Sequence, residues 1–223
     1  MISARHRRTR NSESRGRWSF FPKLAERLSW REERAAQIVE FAVALPLLIL
    51  FVVGIFDFSN AFTLKQKLTN VARDAARTAA AEPTSDLGSP TSPLPLSVSD
   101  AFYVIDNYLK ANNINDCGVN VSSGTPTGGV LTWKFGVNAT SSSPCGIAIF
   151  VNRGYYFPVP FLNQPPGPDC TVHPNAGPVQ MVGTCISIQY TYPWRFGQVA
   201  SLIGGNTVLP TVITAQAVSG NEF

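Results

Sequence analysis

The chain has 223 residues, of which 44% are hydrophobic and only 14% charged, against roughly a quarter charged in an ordinary soluble domain. The formal charge of +4 is uneven: residues 1–34 carry ten Lys/Arg and four Glu, a balance of +6, and the rest balances to −2. A domain that binds nucleic acid carries its basic face on the folded body, so a nucleic-acid partner is excluded from the expectations; the length suits one membrane segment and one domain.

In chain order, residues 1–34 read as a cytoplasmic basic tail or leader. Arg5 to Arg17 reads as disordered, and Trp18 to Trp30 mixes aromatics with Lys23 and Arg27, which suits a segment lying on anionic lipid. Residues 35–57 read as a transmembrane helix. From Phe41 to Phe56 there is no charge, and only Pro46 and Gly54 are irregular. About 20 such residues cross ~30 Å of hydrocarbon, and the run exceeds the roughly 7–15 residues of a signal-peptide core. The membrane is thus the first expected partner. The basic flank precedes the run, which places the N-terminus in the cytoplasm and exports the C-terminal part.

Residues 58–81 continue the helix as a stalk. Phe58, Phe62, Leu64 or Lys65, Leu68, Val71, Ala75 and Ala79 follow helical spacing, and Pro83 marks the end. A break near Gly54 to Asn60 is the rival. Residues 82–98 form a Pro/Ser linker. The exported domain, 99–223, opens with a helix at Asp100 to Asn112, capped by Ser99, with Ala101, Val104, Ile105, Tyr108 and Leu109 on its apolar face. Strands are predicted at 130–138, 146–152, 181–192 and 210–218, the third alternating Ile186, Ile188, Tyr190 and Tyr192 against Ser187, Gln189 and Thr191. Pro158 to Pro178 reads as a long loop. The fold class is α+β with a small antiparallel sheet and a modest core.

Cys117, Cys145, Cys170 and Cys185 all follow the apolar run. An even number in an exported domain predicts disulfides, and three pairings remain open. Spacings of 28, 25 and 15 residues, with His173 the one histidine nearby, argue against metal. The sequence lacks Gly-x-Ser-x-Gly, Walker and His-Glu-x-x-His motifs. Asp100, Asp106, Asp116 and Asp169 read as solvated carboxylates. No catalytic or cofactor-binding residue is expected, and the chain reads as non-enzymatic. The sequons at Asn120 and Asn138 carry little weight.

Arg34 to Ala81 resembles the TadE-like family of the tight-adherence (Tad) pilus system. The residues that carry the resemblance are Val39-Glu40-Phe41, Leu45-Pro46, Gly54-Ile55-Phe56-Asp57-Phe58, and Leu68-Thr69-Asn70-Val71-Ala72-Arg73 with Ala76-Arg77. The C-terminal "ISIQYTYPWRF" and "VITAQAVSGNEF" are similar to the family's terminal strands, less specifically. The resemblance implies a minor pilin or pseudopilin of the inner (cytoplasmic) membrane, single-pass, partnered by other pilins or pseudopilins, by the assembly platform and by a prepilin peptidase. It implies cleavage between Ala35 and Ala36, with Ala35 where the family most often has Gly. Val39-Glu40-Phe41 would be the recognition motif, and Glu40 the fifth mature residue, a register carboxylate facing a neighbouring subunit's free amine. The alternative is an anchored binding or adhesion module outside a pilus, using the aromatics of "RGYYFPVPF" from Arg153 to Phe161.

Overall fold

The computed structural model describes residues 22–88, 94–127, 131–140, 143–158, 167–171, 180–196 and 211–221. The chain falls into two compact units, residues 1–49 and 50–223. Helix α1, Pro22–Ala81, begins in the first and continues into the second. Pro22 stands at its first position, where a proline costs no internal hydrogen bond. Pro46 lies within the helix, no break falls between Gly54 and Asn60, and the helix stops two residues before Pro83. The backbone of 22–34 is therefore helical, and the expectations for Arg5 to Arg17 lie outside the described residues.

In the second unit α1 buries one stripe. Leu68, Val71, Ala72, Ala75, Ala76, Ala79 and Ala80 are all 0–1% exposed. Above them Ala61 is buried and Leu64 packs at the edge. The expected stripe needs correcting at its upper end: Phe62 is 68% exposed and Phe58 half-exposed. Asp57, Ala61, Leu64 and Leu68 hold the 3- and 4-residue steps, and Phe62, one residue past Ala61, points about 100° away at 3.6 residues per turn.

A short 3-10 turn, Thr84–Gly88, follows, then α2, Leu96–Ala111. This helix starts four residues earlier than expected, inside the range read as linker. Pro95 is its N-cap residue, with ψ near 138°. Ser99 lies within the first turn and donates to the Leu96 carbonyl at 2.8 Å rather than capping. Phe102 and Val98 join Ala101, Ile105 and Leu109 on the buried face, while Val104 and Tyr108 are only partly buried. Asp106, read as a solvated carboxylate, is 7% exposed and pairs with Lys110 at 2.7 Å.

Five antiparallel strands form a meander in chain order: β1 (Thr125–Pro126), β2 (Thr132–Val137), β3 (Ile147–Pro158), β4 (Gln180–Thr191) and β5 (Val212–Gly220). The pairings Phe135↔Ile149, Ile149↔Ile188 and Ile188↔Ala215 run one apolar row across the sheet. Trp133, Val151 and Ile186 make the next row. These side chains share one core with the α1 stripe and with α2. Alternation places Ser187 and Gln189 on the opposite face, where both donate to the Pro168 carbonyl.

The disulfides are Cys117–Cys145 and Cys170–Cys185. The second fastens the 167–171 segment to the outer face of β4, and Asn152 adds a 2.9 Å bond to the Cys170 carbonyl. Cys117 and Cys170 occupy left-handed backbone conformations, with φ of 57° and 58°; Cys117 lies inside the turn closed by the Val119 N–H to the Asp116 carbonyl, and Cys170 follows the turn at 168–169. Of the expected loop Pro158 to Pro178, Pro158 ends β3 and the 167–171 segment is described; the remainder lies outside the described residues.

A bulge interrupts the β3–β4 register between Asn152 and Tyr155. It carries Tyr155 to the outer face beside Cys170 and Cys185, while Arg153 keeps the inward alternation of Ile149 and Val151 and is 1% exposed. Its guanidinium donates to Thr184 Oγ1 at 2.8 Å, to Asn221 Oδ1 at 3.3 Å and to the Glu82 carbonyl at 2.8 Å. One side chain thus joins the segment after α1 to β4 and to the residue after β5. Burying a guanidinium is costly unless its donors are satisfied.

Candidate functional site

The residues singled out in the sequence lie on α1. Ala35 and Ala36 are helical, as are Val39, Glu40 and Phe41. Val39 and Phe41 are more than 60% exposed, and Glu40 is exposed. Ala36, Val39, Glu40, Val43, Ala44 and Leu47 line one face of the helix, so the carboxylate stands in an apolar surround. Among the described residues Glu40 has no ion-pair partner. The stretch beginning at Ala36 is the one described helix long and apolar enough to cross a membrane. A carboxylate near the end of such a segment costs less than one at mid-membrane, yet it still favours a positive partner.

The far end of the apolar run is built differently. Asp57, the next acidic residue after Glu40, is 5% exposed. Its Oδ2 accepts the backbone N–H groups of Arg195 and Phe196 at 2.8 and 2.9 Å. Its Oδ1 accepts the Tyr192 hydroxyl at 3.0 Å. Hydrogen bonds to a charged acceptor are about twice as strong as neutral ones, so this carboxylate ties the segment after β4 to the helix.

Aromatic packing completes the junction. Phe58 lies 5.2 Å from Trp194 and 6.3 Å from Phe196, centroid to centroid, and Tyr192 meets Trp194 edge-on at 4.9 Å. Gly54, one turn before Phe58, is buried, and a Cβ there would lie 3.1 Å from the Phe196 ring. The glycine lets the ring reach the helix backbone. Burial, and then the bond to Asp57 and its charge, push the Tyr192 hydroxyl up to about 12, with Arg195 acting the other way.

Sequence reasoning registered Asp57 only as part of a motif and did not connect it with Tyr192 to Phe196. The signals were a carboxylate closing an apolar run and a distant aromatic cluster, "YPWRF". The pairing spans 135–139 residues, which no local pattern encodes. In "RGYYFPVPF", Arg153 and Tyr155 are buried and Tyr156 is 42% exposed; Phe161 lies outside the described residues.

Residues 35–77 match the model of the TadE-like protein family. This segment is TadE-like. The match begins at Ala35, takes in Glu40 and the Gly54–Phe58 exit, and ends within the buried alanine stripe. No curated protein and no solved structure matches the chain. A TadE-like segment on a candidate membrane helix fits a membrane protein associated with a Tad pilus.

Proposed function

We propose that this chain is a minor pilin or pseudopilin of Tad-type pilus assembly and that it is not an enzyme. The observation that carries this reading is the TadE-like segment beginning at Ala35, with Glu40 exposed on an otherwise apolar helix face. In this reading a prepilin peptidase reads Val39-Glu40-Phe41 and cuts between Ala35 and Ala36. Glu40 then faces the new amine of a neighbouring subunit. Opposite charges in a low-dielectric setting attract strongly, and their cost of desolvation is offset only when they meet. The pair therefore sets axial register. The basic tail stays in the cytoplasm and the α+β domain is exported from the inner membrane, where its two disulfides are stable. Other pilins and the assembly platform are its partners.

Glu40→Ala tests the register role in cells that make the pilus. Loss of pili at unchanged protein level is expected. Normal pili at unchanged protein level would contradict it.

A further inference from the structure

Beyond the helix itself, the junction at Asp57 carries a graded surface. Phe51, Ile55, Phe58, Phe62 and Lys65 follow one another at steps of four and three residues, so they lie on one helix face. All are exposed, and Phe51, Ile55 and Phe62 are nearly 70% exposed. Phe196 joins this face beside Gly54 and Phe58 and closes an open apolar groove. Beyond Phe62 the same face turns cationic and polar, through Lys65, Thr69 and Arg73. The order along the helix is apolar through Phe51, Ile55, Phe58 and Phe62, then cationic from Lys65. The order through a leaflet is acyl chain, then interface, then phosphate.

Trp and Tyr gather at the membrane–water boundary because their rings are apolar and their N–H or O–H is polar; a Phe ring beside them supplies apolar contact only, and Lys and Arg pair with lipid phosphate just beyond. The remaining acidic group at this level is Asp57, and the Tyr192–Phe196 segment takes its carboxylate off the face. A bare carboxylate there would repel the phosphates and would be costly in hydrocarbon.

We propose that Phe58, Trp194 and Phe196 form an interfacial shelf that seats the second unit on the bilayer surface, with Phe51 and Ile55 in acyl chain and Lys65 at the phosphates. The occupant of the groove is bilayer lipid. This rests on α1 crossing the membrane. The 192–196 segment then has two tasks: it covers Asp57, and it sets the depth at which the domain sits. The domain is held against the membrane, not carried above it on a free stalk.

Depth-resolved fluorescence quenching tests this on the full chain, reconstituted in phosphatidylcholine vesicles with bromines near the carbonyls or near the midplane. Subtracting the Trp194→Phe protein isolates the Trp194 signal from the other tryptophans and keeps an aromatic ring against Phe58. Carbonyl-level bromines are expected to quench Trp194 at least about twofold more than midplane bromines. Phe62→Trp, at an exposed position that the core does not need, supplies a second reporter with the same preference. A chain that resists alkaline extraction while Trp194 and the Phe62→Trp reporter stay unquenched would overturn the shelf alone, leaving the face to a neighbouring protein helix. A chain released by alkali would overturn the membrane reading, and the shelf with it.

Discussion

At the residue scale the structure turns on two carboxylates at opposite ends of one apolar run. Glu40 is exposed and has no ion-pair partner among the described residues; Asp57 is buried and has three donors within the chain. Asp57→Ala leaves two backbone N–H groups and the Tyr192 hydroxyl without their acceptor. A loss of about 3 kcal/mol is expected, measured by denaturant unfolding of the full chain in detergent. Tyr192 adds an alkaline limit. Its hydroxyl stays protonated to about 12 in the fold, against about 10 in the unfolded chain. The folded value is the raised one, so this contribution is complete below about 10 and lost as pH climbs through 12. Stability should fall in that window, and Tyr192→Phe should flatten the fall, as followed by tyrosinate absorbance and circular dichroism together. Arg153 gives a third expectation. Arg153→Met removes donors from Thr184, Asn221 and the Glu82 carbonyl, and should cost about 3 kcal/mol in the same unfolding experiment.

At the element scale, the alanines of α1 explain how a helix and a sheet share so compact a core. Ala72, Ala75, Ala76, Ala79 and Ala80 are all but fully buried, and small residues let the helix backbone approach closely. Ala75→Leu adds volume where none is free and should lower stability by about 1–3 kcal/mol, seen as a reduced unfolding midpoint; Arg77→Ala, on the exposed side of the same turn, should leave it near the wild-type value. These elements were legible in the sequence to different degrees. The α1 stop before Pro83 and the alternation of β4 followed from local pattern, and both stand in the fold. Phe62 misled, because a large apolar residue near the stripe is weighted by its size, whereas its angle puts it on the outer face. The start of α2 moved because Pro95 and two serines resemble linker chemistry until the tertiary burial of Val98 and Phe102 draws the first turn into the core. The Asp57 junction was hidden for a different reason: it closes across more than 130 residues, and its donors are largely backbone N–H groups, which every residue but proline owns.

At the scale of the whole molecule, two disulfides add to the shared core in holding the second unit together. The disulfides close loops with sequence separations of 28 and 15 residues; each should contribute about 3–4 kcal/mol. That contribution fits a chain whose domain folds in an oxidising compartment, as the charge asymmetry around the apolar run also predicts. The TadE-like match, residues 35–77, lies within α1 and stops before the sheet, so the family reading rests on the helix. The central claim is that the helix is matured as a pilin helix, and intact-mass measurement of the membrane-extracted protein tests it most directly. The account predicts a mature chain beginning at Ala36, with Glu40 as its fifth residue. A chain that still begins at Met1 or Ile2 would contradict it, because Glu40 would then have no neighbouring new N-terminus to meet.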